Sequence, residues 1–141
     1  MKFIPIESNF IYEDKTYLKD NNIYSGPGCY SDTVLQFGGW GQELDIDSHS
    51  KTAVCFSAIF SQKEIKETPL NIPNFTDAKI VIEELTHIKK PLRIYYDKCT
   101  GWFCFGNKDS LGKGYRFATN TIAVINDERL EAIFIHPIIK K

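Results

Sequence analysis

The sequence of 141 residues has almost no net charge, because 17 basic residues face 18 acidic ones and give a formal charge of −1. A chain without an overall field lacks a general means of gathering nucleic acid or an anionic membrane surface. We therefore expect neither as a partner.

Metal ligands are also sparse: the four cysteines and three histidines form no close pair of the kind that zinc sites use. The sequence predicts no metal ion and no cofactor.

Long hydrophobic runs are missing as well. The longest stretches without a charged residue, of which 52–62 is the more apolar, have roughly half of the ~20 residues that a membrane helix needs. The apolar stretch 3–6 near the N-terminus is too short for the core of a secretory signal. We therefore expect a cytoplasmic protein without a membrane span, whose cysteines are reduced thiols.

The composition is that of a folded protein. Apolar residues make up 43% of the chain, and they include 10 phenylalanines and 7 tyrosines. A disordered chain has few such residues. The length fits one ordinary domain with one core, so we expect a single domain over residues 1–141.

One segment has the periodicity of a helix. Thr76 suits the N-cap, and Pro91 ends the pattern. Between them, the apolar positions with a spacing near 3.6 residues are Ala78, Val81, Ile82, Leu85 and Ile88, and Ile80 lies off this stripe. The pattern predicts one main amphipathic helix over about 76–90.

Most other segments have the character of strands, because they are short, rich in β-branched or aromatic residues, and separated by turn residues. A hairpin is expected over 10–18 with a charged tip at 13–15, and another at 126–129. The remaining predicted strands are 33–37, 42–46, 51–60, 92–97, 102–105, 115–118, 121–126 and 130–135. The sequence therefore predicts an α+β fold, a mostly antiparallel sheet with the helix packed on one face.

No recognised catalytic motif is present. The glycine clusters 38–41 and 112–114 match neither a phosphate loop nor a dinucleotide fingerprint, and no cysteine or serine has the surroundings of a known nucleophile. We predict no catalytic residue and no enzymatic activity. A small basic loop with Lys108, Lys113 and Arg116 is compatible with a nucleic-acid site, but a solvated loop is the ordinary interpretation.

The clearest candidate for function is an acidic strand. Glu43, Asp45 and Asp47 alternate with two aliphatic residues, so in a strand the three carboxylates share one face. Beside Trp40, such a row would complement a basic protein surface, such as the substrate groove of a nuclease. We predict that these four residues bind a partner. A merely solvated face, with ordinary carboxyl pKa values, is the alternative.

Charge is also divided unevenly along the chain. Residues 1–60 hold four lysines against eight acids, a net charge of −4, whereas residues 61–141 hold thirteen bases against ten acids, a net charge of +3. The acidic strand lies in the acidic part, which favours a local contact led by carboxylates.

These features resemble the small immunity proteins that neutralise toxins delivered between competing bacteria, including those of contact-dependent growth inhibition. The stretches 101–106 and 120–125 are similar to the β-rich C-terminal half of such proteins. The resemblance implies a protein that covers the active site of a cognate toxin and catalyses nothing. The alternative is a small cytosolic enzyme or ligand-binding domain, whose pocket between helix and sheet would contain Tyr95 and Trp102. The oligomeric state is left open.

Overall fold

The computed structural model describes residues 1–26, 31–39 and 41–141, and over these residues the chain is almost entirely β-structure. Of the described residues, 55% are in strands or bridges and 2% are helical, a 3₁₀ turn at Gln62–Glu64. No helix in these ranges is long and apolar enough to cross a membrane. The strands are β1 Lys2–Glu7, β2 Thr16–Lys19, β3 Asn22–Ser25, β4 Thr33–Gln36, β5 Gln42–Asp47, β6 Thr52–Ile59, β7 Ile65–Glu67, β8 Phe75–Glu83, β9 Ile94–Tyr96, β10 Phe103–Gly106, β11 Lys113–Ala118, β12 Thr121–Asn126, β13 Arg129–Ile135 and β14 Ile138–Ile139.

These strands form one curled, mixed β-sheet with the shape of a half-barrel. The main path runs β14-β2-β3-β6-β8-β11-β12-β13-β10-β9-β7. Most neighbours are antiparallel, and parallel pairs join β14 to β2, β8 to β11, and β7 to β9. Two branches leave this path, because β1 pairs with β8, and β5 connects β6 to β4. Among the described residues, β4 therefore has a single strand neighbour, β5.

The predicted helix over 76–90 is wrong, and so is the α+β assignment that depended on it. Most of this segment lies in β8, where the alternate side chains of Ala78, Ile80 and Ile82 are buried. A helix would have buried Leu85 and left Ile80 outside its apolar stripe. In the structure Ile80 is 1% exposed and Leu85 is 46% exposed. Alternation with a period of two is the pattern of a strand with one buried face, and it describes the segment better than a helical spacing does.

The second half of the predicted helix is an irregular segment, residues 84–92, that returns along the end of β4 and β5. The amide of Gly38 donates to the carbonyl of Ile88 at 3.0 Å. Further on, the side chain of Gln42 accepts from the Leu92 amide at 2.7 Å and donates to the Leu92 carbonyl at 2.8 Å. Gln42 is buried, and both ends of its amide are satisfied by this one residue. The segment is thus attached at two points rather than wound into a helix.

The main core contains a chain of aromatic rings that come from distant parts of the sequence. Neighbouring rings in this chain have centroids 4.5–6.3 Å apart. Aromatic pairs at this separation add to the free energy of burial. In order of contact, the rings are Phe37, Phe56, Phe105, Phe103 and Tyr96.

A second apolar cluster explains why β10, β12 and β13 have buried side chains on both faces. Its buried members are Cys104, Ile122, Val124, Ala132 and Phe134, from β10, β12 and β13. Leu70 and Ile72, in the link between β7 and β8, pack against this cluster. The link is held by Asp97, whose carboxylate accepts the Leu70 amide at 3.0 Å.

The predicted hairpins have different outcomes. The one at 126–129 is confirmed, because β12 and β13 pair antiparallel across that turn. The one over 10–18 is wrong, because the turn lies at Asp20 and Asn21, between β2 and β3. Both residues have positive φ, 51° and 62°, as a type I′ turn requires. The strand β1 was not among the predicted strands.

The side-chain pattern of β8 gives a direct test of strand against helix. Ile80→Ala removes a fully buried side chain and should lower the free energy of unfolding by about 2–5 kcal/mol. Leu85→Ala changes a half-exposed side chain and should stay within about 1 kcal/mol of the wild type. Urea titration of both variants measures the difference. A helix over 76–90 would give the opposite order.

Candidate partner-binding face

β5 presents a row of carboxylates on one side of the sheet. Every second side chain of this strand, beginning with Gln42, is buried. The half-buried side chains that alternate with them are Glu43, Asp45 and Asp47. The structure thus places three of the four predicted binding residues on one face. The fourth, Trp40, lies outside the described residues.

Asp47 and its neighbour Asp32 hold the turn between β5 and β6. The carboxylate of Asp47 accepts the amide of His49 at 2.9 Å, and its backbone carbonyl accepts the amide of Lys51 at 2.7 Å. The carboxylate of Asp32 accepts both the hydroxyl and the amide of Ser48. These bonds lower the pKa of Asp32, the hydroxyl having the larger effect. Hydrogen bonds of this kind favour the charged form of Asp32. Through their hydrogen bonds, both acids contribute to the local structure of the turn.

Glu43 and Asp45 have a different environment. Burial raises the pKa of Asp45, although hydrogen bonds from the Cys55 thiol, 3.3 Å away, and from the Ser31 hydroxyl oppose that rise. Burial also raises the pKa of Glu43, and repulsion by the charge of Asp45 raises it further. The alternative, a solvated face with ordinary carboxyl pKa values, therefore does not describe this pair.

The neighbouring strand β4 extends the same surface. Val34 lies directly opposite Asp45, and Gln36 lies directly opposite Glu43. Val34 is 41% exposed although it is apolar. We call the surface formed by Val34, Gln36, Glu43, Asp45 and Asp47 the acidic face. It combines half-buried carboxylates with one exposed apolar side chain at the border of the sheet.

The pocket expected between helix and sheet does not form in the described structure, because the segment predicted as that helix is mostly strand. Tyr95 and Trp102 pack against the second apolar cluster instead. Trp102 also stacks on the ring of His136, with centroids 5.2 Å apart, and Nε2 of His136 lies 3.0 Å from the carbonyl oxygen of Thr100. These aromatic residues complete the packing of the sheet.

The basic loop does not gather free cations. Lys108 forms an ion pair with Asp109 at 3.1 Å. The guanidinium of Arg116 donates two hydrogen bonds to the carboxylate of Asp77, at 2.8 and 2.9 Å. Because two of the three predicted bases have acidic partners, the geometry does not favour a phosphate-binding cluster there.

The cysteines are spread over different environments. Cys55 and Cys104 are buried, Cys99 is exposed, and Cys29 lies outside the described residues. Burial raises the pKa of Cys104 to about 12, so its thiol stays protonated at neutral pH. Within the described ranges, no group of three or more His, Cys, Asp or Glu residues is arranged to hold a metal ion.

No protein-family model matches the chain, and no curated protein matches it. The role of the acidic face is therefore inferred from its own geometry and charge. One feature of that geometry has no local signal in the sequence: β4 lies at the border of the sheet because of which strands pair, and pairing joins residues far apart in the chain.

The two kinds of carboxylate should respond to pH in opposite ways. The pKa of Asp45 is raised on folding, so the free energy of unfolding falls as pH rises above its unfolded value. Asp45→Asn should therefore be at least as stable as the wild type at pH 7, and this advantage should shrink as the solution is acidified below the carboxyl range.

Asp32 is the matched control, because its pKa is lowered on folding and its stabilising effect is present above the unfolded value. Asp32→Asn should lose stability at pH 7, and the loss should disappear at low pH. Thermal unfolding of both variants between about pH 3 and 7 measures these differences. Parallel pH profiles for the two variants would contradict the assignment.

Proposed function

We propose that the chain is an immunity protein that binds a cognate bacterial toxin and blocks it by covering its active site. A nuclease is the toxin class that the charge of the acidic face suits best, because a nuclease groove is lined with bases that bind phosphates. The observation that carries the proposal is the pair Glu43 and Asp45, two acids held half-buried and side by side on an outward face of the sheet.

Half-buried acids favour binding of a cation more than fully solvated acids do. Glu43 and Asp45 have already lost part of their water, and the charge of Asp45 raises the pKa of Glu43 by repulsion. A lysine or arginine from a partner would relieve this repulsion and form charge-assisted hydrogen bonds. Because hydrogen bonds from Cys55 and Ser31 already orient the carboxylate of Asp45, this side chain loses little conformational entropy on binding.

The pair does not by itself indicate acid–base catalysis. Two catalytic carboxylates flank the bond that reacts and have separate roles there, whereas Glu43 and Asp45 lie next to each other on the outward face of β5. The alternative, an enzyme with a pocket between helix and sheet, is also disfavoured, because the segment predicted to form that helix is mostly a strand. These points favour a binding protein.

Charge reversal at Glu43 tests the proposal, and the probe is the toxin domain that this proposal expects to be encoded next to the chain's gene. Glu43→Lys should weaken binding at least tenfold, about 1.4 kcal/mol, because it sets a cation against the basic groove of the toxin. Protection of cells that express the toxin should fall in parallel. Titration calorimetry with purified proteins measures the affinity. Glu43→Gln separates the loss of charge from its reversal.

Asp109→Lys is the control, since it makes the same charge change on an exposed loop away from β5. It should leave both affinity and protection unchanged. Higher ionic strength should weaken the wild-type complex more than the Glu43→Lys complex. Full protection by Glu43→Lys, or no binding of the toxin domain by the wild type, would contradict the proposal.

A further inference from the structure

The backbone of β4 has hydrogen-bonding groups that point out of the sheet. The amide of Phe37 donates to the carbonyl of Gln42 at 3.0 Å. In an antiparallel pair, residues whose backbone groups bond to the partner strand alternate with residues whose groups point away from it, and this bond fixes which are which along β4. Leu35 consequently bonds to β5, whereas the N–H and C=O groups of Val34 and the N–H of Gln36 point away from β5. Within the described part of the chain, no strand pairs with that side of β4.

A groove runs along this free edge. Segment 84–92 approaches β4 on the side away from β5. Among the described residues, this segment forms a bridge with the β4 end of the sheet only where Phe37 meets Ile88. Before that point they diverge and leave a cavity of about 400 Å³ between Val34–Gln36 and Leu85–His87. A second cavity of about 270 Å³ continues past Leu85. The groove therefore has free backbone groups on one wall and exposed apolar side chains, Val34 and Leu85, at its opening.

We propose that the partner docks by adding an extended segment to the sheet along β4, as an extra strand. This inference rests on the proposed function and states how the toxin is held. Backbone groups of the segment would bond to Val34 and Gln36, and its apolar side chains would contact Val34 and Leu85. Successive strands lie about 4.8 Å apart, so a lysine or arginine placed beside Gln36 is within reach of Glu43 on the next strand.

The carboxylates beside the edge of β4 determine which kind of segment can pair with that edge. The strand β4 of a second copy, Thr33–Gln36, contains no lysine or arginine, so pairing of β4 with itself would leave Glu43 and Asp45 without a cation. An acidic segment is disfavoured for the same reason. A segment that alternates apolar and basic residues satisfies both the edge and the acidic face. The occupant is therefore an extended, basic segment of another protein.

Proline at Val34 tests the edge without removing a bond of the free protein. The Val34 amide does not point to β5, so Val34→Pro should preserve the fold, as Pro5 does in β1, which has its only strand partner within the described residues in β8. Val34→Thr is the matched control, because it keeps both the amide and the β-branched shape. The probe is a displayed library of random twelve-residue peptides, selected on the wild-type protein.

The selected peptides should alternate apolar and basic residues. They should bind Val34→Pro at least tenfold more weakly than the wild type, bind Val34→Thr normally, and bind Glu43→Lys weakly. On binding, the amides of Val34 and Gln36 should gain protection from hydrogen exchange in the wild-type protein. That measurement decides the question even if Val34→Pro does not fold.

Three outcomes would overturn the inference: no selected peptide, peptides that bind Val34→Pro as well as the wild type, or self-association of the chain that Val34→Pro abolishes. Failure here is distinguishable from failure of the proposed function. If Glu43→Lys disrupts the toxin complex and Val34→Pro leaves it intact, the proposed function stands and docking of an extra strand on β4 is contradicted. If the selected peptides bind through the edge of β4 but the toxin domain does not bind the chain, the edge is supported as a docking site and the proposed function is contradicted.

Discussion

Backbone pairing of β8 holds the sheet together. Its first residues pair with β11, its later residues pair with β1, and Val81 is in register with Thr52 of β6. Through these pairs the strands from the N-terminal part of the chain and those from the C-terminal part form one sheet. A helix at this position would leave the backbone groups of three strands without partners, and buried groups of that kind are costly. The buried side chains of β8 then join the main core.

The extent of the sheet also determines where the protein can meet a partner. The path that passes through β8 leaves β5 and β4 as a branch, so β4 ends the sheet on that side. Free edges tend to pair with other copies of the same chain, and proteins commonly protect them with charge. Here the half-buried acids of β5 lie one strand from the edge. They attract a basic segment, whereas β4 of a second copy has no basic side chain to offer them.

Sequence patterns predict features that neighbouring residues set, and they fail where distant segments meet. The hairpin at 126–129 was predictable because its turn residues and flanking strands are adjacent in the chain. The segment 76–90 was not, because Ala78 and Ile82 fit both a period of 3.6 and a period of two, and Ile80 argued against the helix. The raised pKa values of Glu43 and Asp45 were also missed. Alternation predicts which face a side chain occupies, whereas burial depends on what lies over that face.

By itself, the sequence determined the local features: the alternation of carboxylates along β5, the turn at 126–129, and the lack of any motif for phosphate, metal or nucleophilic chemistry. These follow from the conformational preferences of neighbouring residues. The tertiary structure alone decided that β8 is a strand, that Glu43 and Asp45 are half-buried, and that β4 has a free edge. Each of these depends on hydrogen bonds and contacts between segments tens of residues apart, and the free energy of those contacts exceeds the local preferences that the sequence displays.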